Sequence, residues 1–157
     1  MQSITPFLWF NHQAEEAANF YVSIFPKSKV LSVQRYGEAG PGPKGSVMTV
    51  EFRLNGQNFI ALNGGPTFSF TPAISFSVDC KTQKELDGYW RKLLKGGEPS
   101  RCGWLTDKYG LSWQLVPSGI GKLVGGKNAK KSAAAMTAMM KMIKLDIKKL
   151  RAAYDRG

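Results

Sequence analysis

The chain has 157 residues, 43% hydrophobic and 21% charged, a globular composition long enough for one domain or two small ones. No apolar run approaches membrane-spanning length and no charged-then-apolar leader opens the chain, so neither membrane insertion nor a cleaved signal is expected. The net charge of +11 is uneven: from Lys127 onward nine Lys/Arg stand against Asp146 and Asp155, placing +7 on the last fifth.

Ser3 to Phe10 reads as a buried strand, with Ile4, Leu8 and Phe10 on one face and Thr5, Phe7 and Trp9 on the other. Asn11 or His12 then caps a helix carrying Glu15 and Glu16 in its first turn, where the helix dipole favours them. Ala17, Phe20, Tyr21, Ile24 and Phe25 recur at helical spacing until Pro26. Lys29 to Tyr36 is a strand, and the Gly/Pro-rich run Gly37 to Gly45 a loop. Ser46 to Leu54 and Gln57 to Asn63 flank Asn55-Gly56, a strong hairpin signal. That turn sets Phe52 opposite Phe59 and Val50 opposite Ala61. The reverse face pairs Arg53 with Asn58, Glu51 with Ile60 and Thr49 with Leu62.

The pattern then begins again. Ala73 to Asp79 is a strand with Ile74, Phe76 and Val78 on one side and Ala73, Ser75 and Ser77 on the other. Thr82-Gln83-Lys84-Glu85 is a capping box for a helix whose apolar face is Leu86, Tyr89, Trp90, Leu93 and Leu94, stopped by Gly96-Gly97. Shifting Ala17, Phe20, Tyr21, Ile24 and Phe25 by 69 positions lands on those five residues. Arg101 to Pro117 forms a second hairpin about a four-residue turn, Asp107 to Gly110, which sets Thr106 opposite Leu111, Trp104 opposite Trp113 and Cys102 opposite Leu115. Its other face carries Arg101, Gly103, Ser112 and Gln114. The first 117 residues are therefore two copies of one strand–helix–strands module.

Gly119 to Gly126 reads as a flexible joint. From about Asn128 to Tyr154 a single helix is expected, with a seam of Met136, Met140, Ile143, Ile147, Leu150 and Tyr154 on an otherwise Lys-rich surface. The positive charge is then the solvated side of a helix that docks on its own domain or a second subunit. Nucleic-acid or membrane-surface binding by this tail is the alternative.

Paired βαβββ modules resemble the vicinal oxygen chelate superfamily of glyoxalase I, the extradiol dioxygenases and the bleomycin-resistance proteins. Within it, the chain looks like the PhnB-like branch labelled "3-demethylubiquinone-9 3-methyltransferase". The likeness rests on Phe10-Asn11 through Phe20-Tyr21, on Ala61-Leu62-Asn63-Gly64-Gly65-Pro66, on Cys102-Gly103-Trp104-Leu105-Thr106-Asp107, and on Gly110-Leu111-Ser112-Trp113-Gln114. Ala138-Met139-Met140-Lys141-Met142 and Leu145-Asp146-Ile147 extend it into the tail.

The resemblance implies an α+β fold, two βαβββ modules forming a pair of curved mixed-sheet half-barrels, plus a C-terminal helix. The modules would span 1–66 and 67–118, and the joint and basic helix 119–157. A cytoplasmic homodimer is expected. The faces bearing Ile74/Phe76/Val78, Val50/Phe52/Phe59/Ala61 and Trp104/Trp113/Leu115 would lie under helices, and the mixed faces would line a cleft between modules.

On those mixed faces Glu51, Arg53 and Gln114 are the candidate catalytic groups. An Arg fork can hold a carboxylate or phosphate, a desolvated Glu can act as base, and an amide can orient a ligand. Phe7, Trp9, Ser75, Ser77, Arg101 and Ser112 are the candidate ligand-binding residues. The bland readings are a structural ion pair for Glu51 and Arg53, and aromatic core for Phe7, Trp9 and Trp90. The superfamily's four metal-ligand positions fall on Thr5 (or Phe7), Ile60, Ala73 and Gln114, which offer no imidazole or carboxylate, so no metal is expected. No cofactor is expected either.

Three other chemistries find little support. Gly121 to Asn128 nearly spells a phosphate-binding loop but lacks the Ser/Thr after Lys127. Cys80 and Cys102, 22 positions apart, fit neither a metal knuckle nor a redox pair and have no adjacent base. No Gly-rich methyl-donor loop follows Phe10 or Val78. The favoured reading is a metal-independent protein binding a small organic molecule, anionic ones included, in the cleft between the paired modules. A methyltransferase of quinone metabolism, and an interaction or nucleic-acid protein acting through the tail, are the alternatives; whether the protein turns over a substrate stays open.

Overall fold

In the computed structural model, which describes residues 2–157, the chain divides into two units, one ending at Phe70 and the other spanning Thr71–Gly157. The first contains β1 (Phe7–Phe10), α1 (Ala14–Ile24), β2 (Lys29–Arg35), β3 (Val47–Leu54) and β4 (Gln57–Asn63). Its sheet has the order β1-β4-β3-β2, with β1 parallel to β4 and the other neighbours antiparallel. Asn55 and Gly56 both adopt positive φ, 44° and 92°, the twist a two-residue hairpin needs. The register is the expected one throughout, including Phe52 with Phe59 and Glu51 with Ile60. Val50, Phe52, Phe59 and Ala61 are buried beneath Ala17, Tyr21 and Ile24 of α1. Phe52 stacks between Tyr21 and Phe59 at 6.2 and 5.4 Å. Burying each such ring stabilises the unit by about 2–3 kcal/mol.

Two expectations for this unit need correction. The first strand begins at Phe7, not Ser3, and Ile4 is 94% exposed. Neither Asn11 nor His12 caps α1; the N-cap is Gln13, with no side-chain bond. Instead Ala14 donates its backbone N–H to Asn63 Oδ1 at 2.8 Å, from the far end of β4. The same side chain donates to the Val47 carbonyl at 3.1 Å, and the Asn63 carbonyl accepts from the Tyr36 hydroxyl at 2.6 Å. One amide thereby ties the helix start to two strands. Gly64 follows because a Cβ there would lie 2.4 Å from the Trp9 indole, whose Nε1 donates to the Gly65 carbonyl at 2.9 Å.

The second unit repeats the plan with β5 (Ser75–Cys80), α2 (Gln83–Leu94), β6 (Glu98–Pro99), β7 (Trp104–Thr106) and β8 (Ser112–Pro117), in the order β5-β8-β7-β6. Thr82 caps α2 as expected, accepting from Glu85 N at 3.2 Å. Glu85 reaches back to Lys81 N at 2.7 Å, one residue beyond the N-cap. Leu86, Trp90 and Leu93 are buried, so Trp90 is core. Ile74 lies outside β5 and is largely exposed, contrary to its expected place under a helix.

The second hairpin differs in register. Thr106 pairs with Ser112, Leu105 with Trp113 and Trp104 with Gln114. The loop is one residue shorter than expected: Asp107 donates its N–H to the Leu111 carbonyl, Gly110 N–H returns to the Asp107 carbonyl, and Gly110 sits at φ 87°. The Asp107 carboxylate, 3% exposed, decides it. One oxygen accepts from Tyr109 N and Leu111 N at 2.9 and 3.1 Å, the other from Trp113 Nε1 at 2.9 Å. A one-residue slip exchanges faces, so Trp104 joins Gln114 instead of Trp113.

The tail is not one helix. After the short α3 (Ile120–Val124), which occupies the expected joint, come α4 (Ala129–Met140) and α5 (Ile147–Arg156). Between the last two, the backbone docks as a strap: Cys102 N donates to Met142 O at 2.8 Å and Gly103 N to Ile143 O at 2.7 Å. Leu145 is fully buried, and the Gln83 amide clips both sides of it, donating to Leu145 O at 3.0 Å and accepting from Ile147 N at 2.9 Å. Lys144 adds an ion pair to Asp87 at 2.7 Å, and Asp146 caps α5 through Lys149 N at 2.9 Å.

Asp107→Ala is expected to cost about 3 kcal/mol in urea unfolding, because it strands a buried indole N–H and two loop amides. Gln83→Ala is expected to raise hydrogen exchange at Ile147 far more than in α1, a local loosening that leaves the first unit intact.

Candidate functional site

The face of the first sheet turned away from α1 gathers the candidate residues by alternation alone. Phe7 and Trp9 on β1 stand opposite Ile60 and Leu62 on β4; Glu51 and Arg53 on β3 stand opposite Ile60 and Asn58. Lys29 on β2 is the partner of Arg53, and Ser32 that of Glu51. Phe7 is 57% exposed, and Trp9, Glu51, Arg53 and Ile60 are half-buried, a surface neither packed nor fully solvated. Arg53 donates through Nε to Asn58 Oδ1 at 2.7 Å, which orients the guanidinium plane. Glu51 accepts a long bond from Ser32 Oγ at 3.5 Å. Among the described residues no ion pair joins Glu51 to Arg53, so the structural-pair reading of the two falls away.

Trp9 does two jobs. Its indole closes over Gly64 and packs edge-on against Phe68 with ring centroids 5.0 Å apart, and the residue as a whole stays half-buried, opposite Leu62 on β4. Lys29 is the residue the sequence reading did not single out. Lys29 and Arg53 keep the register of Arg35 with Val47, because the two shifts between those pairs cancel, and the long connection from β2 to β3 carries no turn signal from which that register could be read.

In the second unit, Ser75 is opposite Ser112 and Ser77 opposite Gln114 in the parallel β5–β8 pair. Gln114 Nε2 donates to Ser75 Oγ at 2.8 Å, which leaves the amide oxygen as the end of that group available for a ligand. Ser112 is 2% exposed, while Ser77 is exposed and Trp104 half-buried. Arg101 lies outside the strands, in the exposed turn before β7, where its carbonyl accepts from Trp104 N. The structure thus brings Ser75, Ser77, Gln114 and the unforeseen Trp104 onto one face, and leaves Arg101 off it.

Neither cysteine is set up as a nucleophile. Burial, and secondarily the nearby Glu85 and Asp79 carboxylates, push the Cys80 thiol up to about 12. Cys102 is half-buried with its Sγ 3.6 Å from Met140 Sδ. Among the described residues no group of three His, Cys, Asp or Glu side chains converges as a metal site would require.

The family described as 3-demethylubiquinone-9 3-methyltransferase matches residues 2–116. Among solved structures, the PhnB protein of Bacillus cereus is 43% identical with a TM-score of 0.68, over 74% of this chain and 100% of that chain. Protein PA1353 of Pseudomonas aeruginosa is 19% identical with a TM-score of 0.63, over 75% and 98%. The fosfomycin resistance protein FosX of Listeria monocytogenes is 13% identical with a TM-score of 0.52, over 75% and 93%; both share the fold. No protein of curated function matches. The tail motifs at 138–142 and 145–147 fall beyond the family's matched residues.

The thiols give a direct check on this account of the site. At pH 8 a disulfide reagent is expected to label Cys102 alone in the folded protein, and both thiols in denaturant. A raised thiol pKa stabilises the folded state below the thiol's ordinary value of 9.0, and that contribution fades as pH rises from there toward about 12. Cys80→Ala should flatten the fall in stability over that window.

Proposed function

On the premise that the chain belongs to the 3-demethylubiquinone-9 3-methyltransferase family, within the vicinal oxygen chelate superfamily, we propose that it binds a small organic molecule bearing an anionic group on the open face of its first sheet. The observation that carries this is Arg53. Its guanidinium is oriented through Nε, so that its terminal nitrogens are left for a carboxylate or phosphonate, beside the second cation Lys29. Phe7, Trp9, Ile60 and Leu62 supply the apolar half of the same face. Such a surface suits an amphiphilic acid better than a sugar or a free ion.

Among the described residues Glu51 is the only carboxylate on that face, so proton transfer there would run through it. The face with Gln114, Ser75, Ser77 and Trp104 is the second unit's counterpart, with Gln114 Oε1 as its orienting acceptor. We extend the proposal to metal independence. The positions where the superfamily holds an ion fall on Thr5 or Phe7, Ile60, Ala73 and Gln114, and none is an imidazole or a carboxylate. Methyl transfer, which the family description names, is not part of the proposal: the turn from β1 to α1, Asn11 to Gln13, contains no glycine, and each sheet has one parallel pair only. A cytoplasmic homodimer completes the reading; light scattering tests its stoichiometry.

The experiment is a thermal-shift and calorimetric screen of aryl and alkyl carboxylates and phosphonates. A binder is expected to lose about tenfold or more in affinity with Arg53→Ala, the loss of one charge-assisted hydrogen bond or more. Glu51→Gln should leave that affinity within a few-fold and abolish any turnover. Metal held stoichiometrically in purified protein, or S-adenosylmethionine binding at micromolar concentration, would sink the proposal.

A further inference from the structure

We propose that the C-terminal helices form a nucleic-acid-binding surface, in which a groove between the start of α2 and α5 receives phosphates of the sugar–phosphate backbone. The segment beyond the family match, 117–157, carries ten Lys/Arg against two Asp, a net +8 of the chain's +11. Docking does not need that charge. The tail is held by buried Leu145, Leu150 and Ala153 and by the Gln83 amide, and of its cations Lys144 forms an ion pair inside the unit. On α5 the charge lies on the solvated side, opposite inward Leu150 and Ala153, where its cations can meet a ligand.

Lys148 and Arg151, one turn apart on α5, line a groove of about 530 Å³ together with Lys81, and Asp155 is its single carboxylate. Lys149 and Arg156 continue the exposed positive surface along the helix. Among the described residues no ion pair engages Lys148, Lys149, Arg151 or Arg156. From 148 to 156 the helix rises about 12 Å, the axial length of three to four nucleotides of one strand. The N-terminus of α2 is not itself the anion site, because Thr82 and Glu85 already occupy its amides.

A polyanion in water fits this surface better than a lipid bilayer. An interfacial helix needs exposed apolar side chains to insert. On α5, Leu150 is buried and Ile147 and Tyr154 are half-buried. The exposed Met136, Met140 and Ile143 belong to α4 and the strap after it.

Fluorescence anisotropy with a duplex DNA and a single-stranded RNA of about 20 nucleotides tests the proposal, with the full chain titrated across salt. The expected result is association with either, with log K falling against log salt at a slope of about −3 for the duplex and about −2 for the single strand, one phosphate for each of Lys81, Lys148 and Arg151. The double variant Lys148→Glu/Arg151→Glu should weaken binding at least about tenfold and flatten the slope to about −1, with an unchanged melting temperature. A control with equal charge change, Lys27→Glu/Lys44→Glu in the first unit, should lose no more than about threefold. Absence of salt-dependent binding to both probes, equal losses in the two double variants, or tighter binding to phosphatidylserine vesicles than to either nucleic acid would overturn it.

Discussion

A single buried carboxylate sets how the second sheet is read. Asp107 sits at the end of β7 with both oxygens engaged, one by the loop amides of Tyr109 and Leu111 and the other by the Trp113 indole. A charge with so little access to water is tolerable only with its acceptor sites filled, and filling them closes the loop over three residues and no more. The side chains of β8 follow from that closure. Trp113 and Leu115 turn to the core under α2, and Gln114 is left on the open face with Ser75 and Trp104. The candidate ligand surface of the second unit is thus a downstream result of loop electrostatics.

The first unit reaches the same topology by other means. Its hairpin closes over Asn55-Gly56 with no buried charge, and its packing against the helix includes the Tyr21, Phe52 and Phe59 stack. Where the second unit caps its helix locally with Thr82, the first borrows Asn63 from a strand 49 positions away. Two copies of one plan therefore solve the same problem of unsatisfied helix amides with short-range and long-range chemistry respectively. Only the short-range solution can be seen in a linear sequence.

That difference also explains what was legible beforehand. The repeat, both helices and the β3–β4 register were readable because Asn-Gly permits one tight turn and the apolar spacing points one way. The face carrying Glu51 and Arg53 followed from the same alternation. Gly110 was ambiguous, since a glycine of positive φ serves a four-residue or a three-residue loop equally; the deciding contact, Asp107 to Trp113, joins residues across the hairpin. The tail misled because Met136, Met140, Ile143, Ile147 and Leu150 obey seam spacing, yet α4 stops at Met140, the following backbone docks on Cys102 and Gly103, and Asp146 starts a separate helix as its N-cap. The placement of Lys29 opposite Arg53 was not legible because β2 and β3 are joined by a long loop, with no tight turn to fix their register.

The strap from Met142 to Leu145 covers a spot that the second sheet alone would leave open. Cys102 and Gly103, both at positive φ, direct two backbone amides outward, and Gly103 leaves no room for a methyl group between Leu115 O and the Leu145 side chain. A protein of this plan that stopped near residue 116 would present two unpaired donors beside an empty apolar socket. It would have to wet them, or recruit another chain to fill the gap. Here the polypeptide supplies its own plug, and in doing so carries its most basic segment to a fixed position on the second unit.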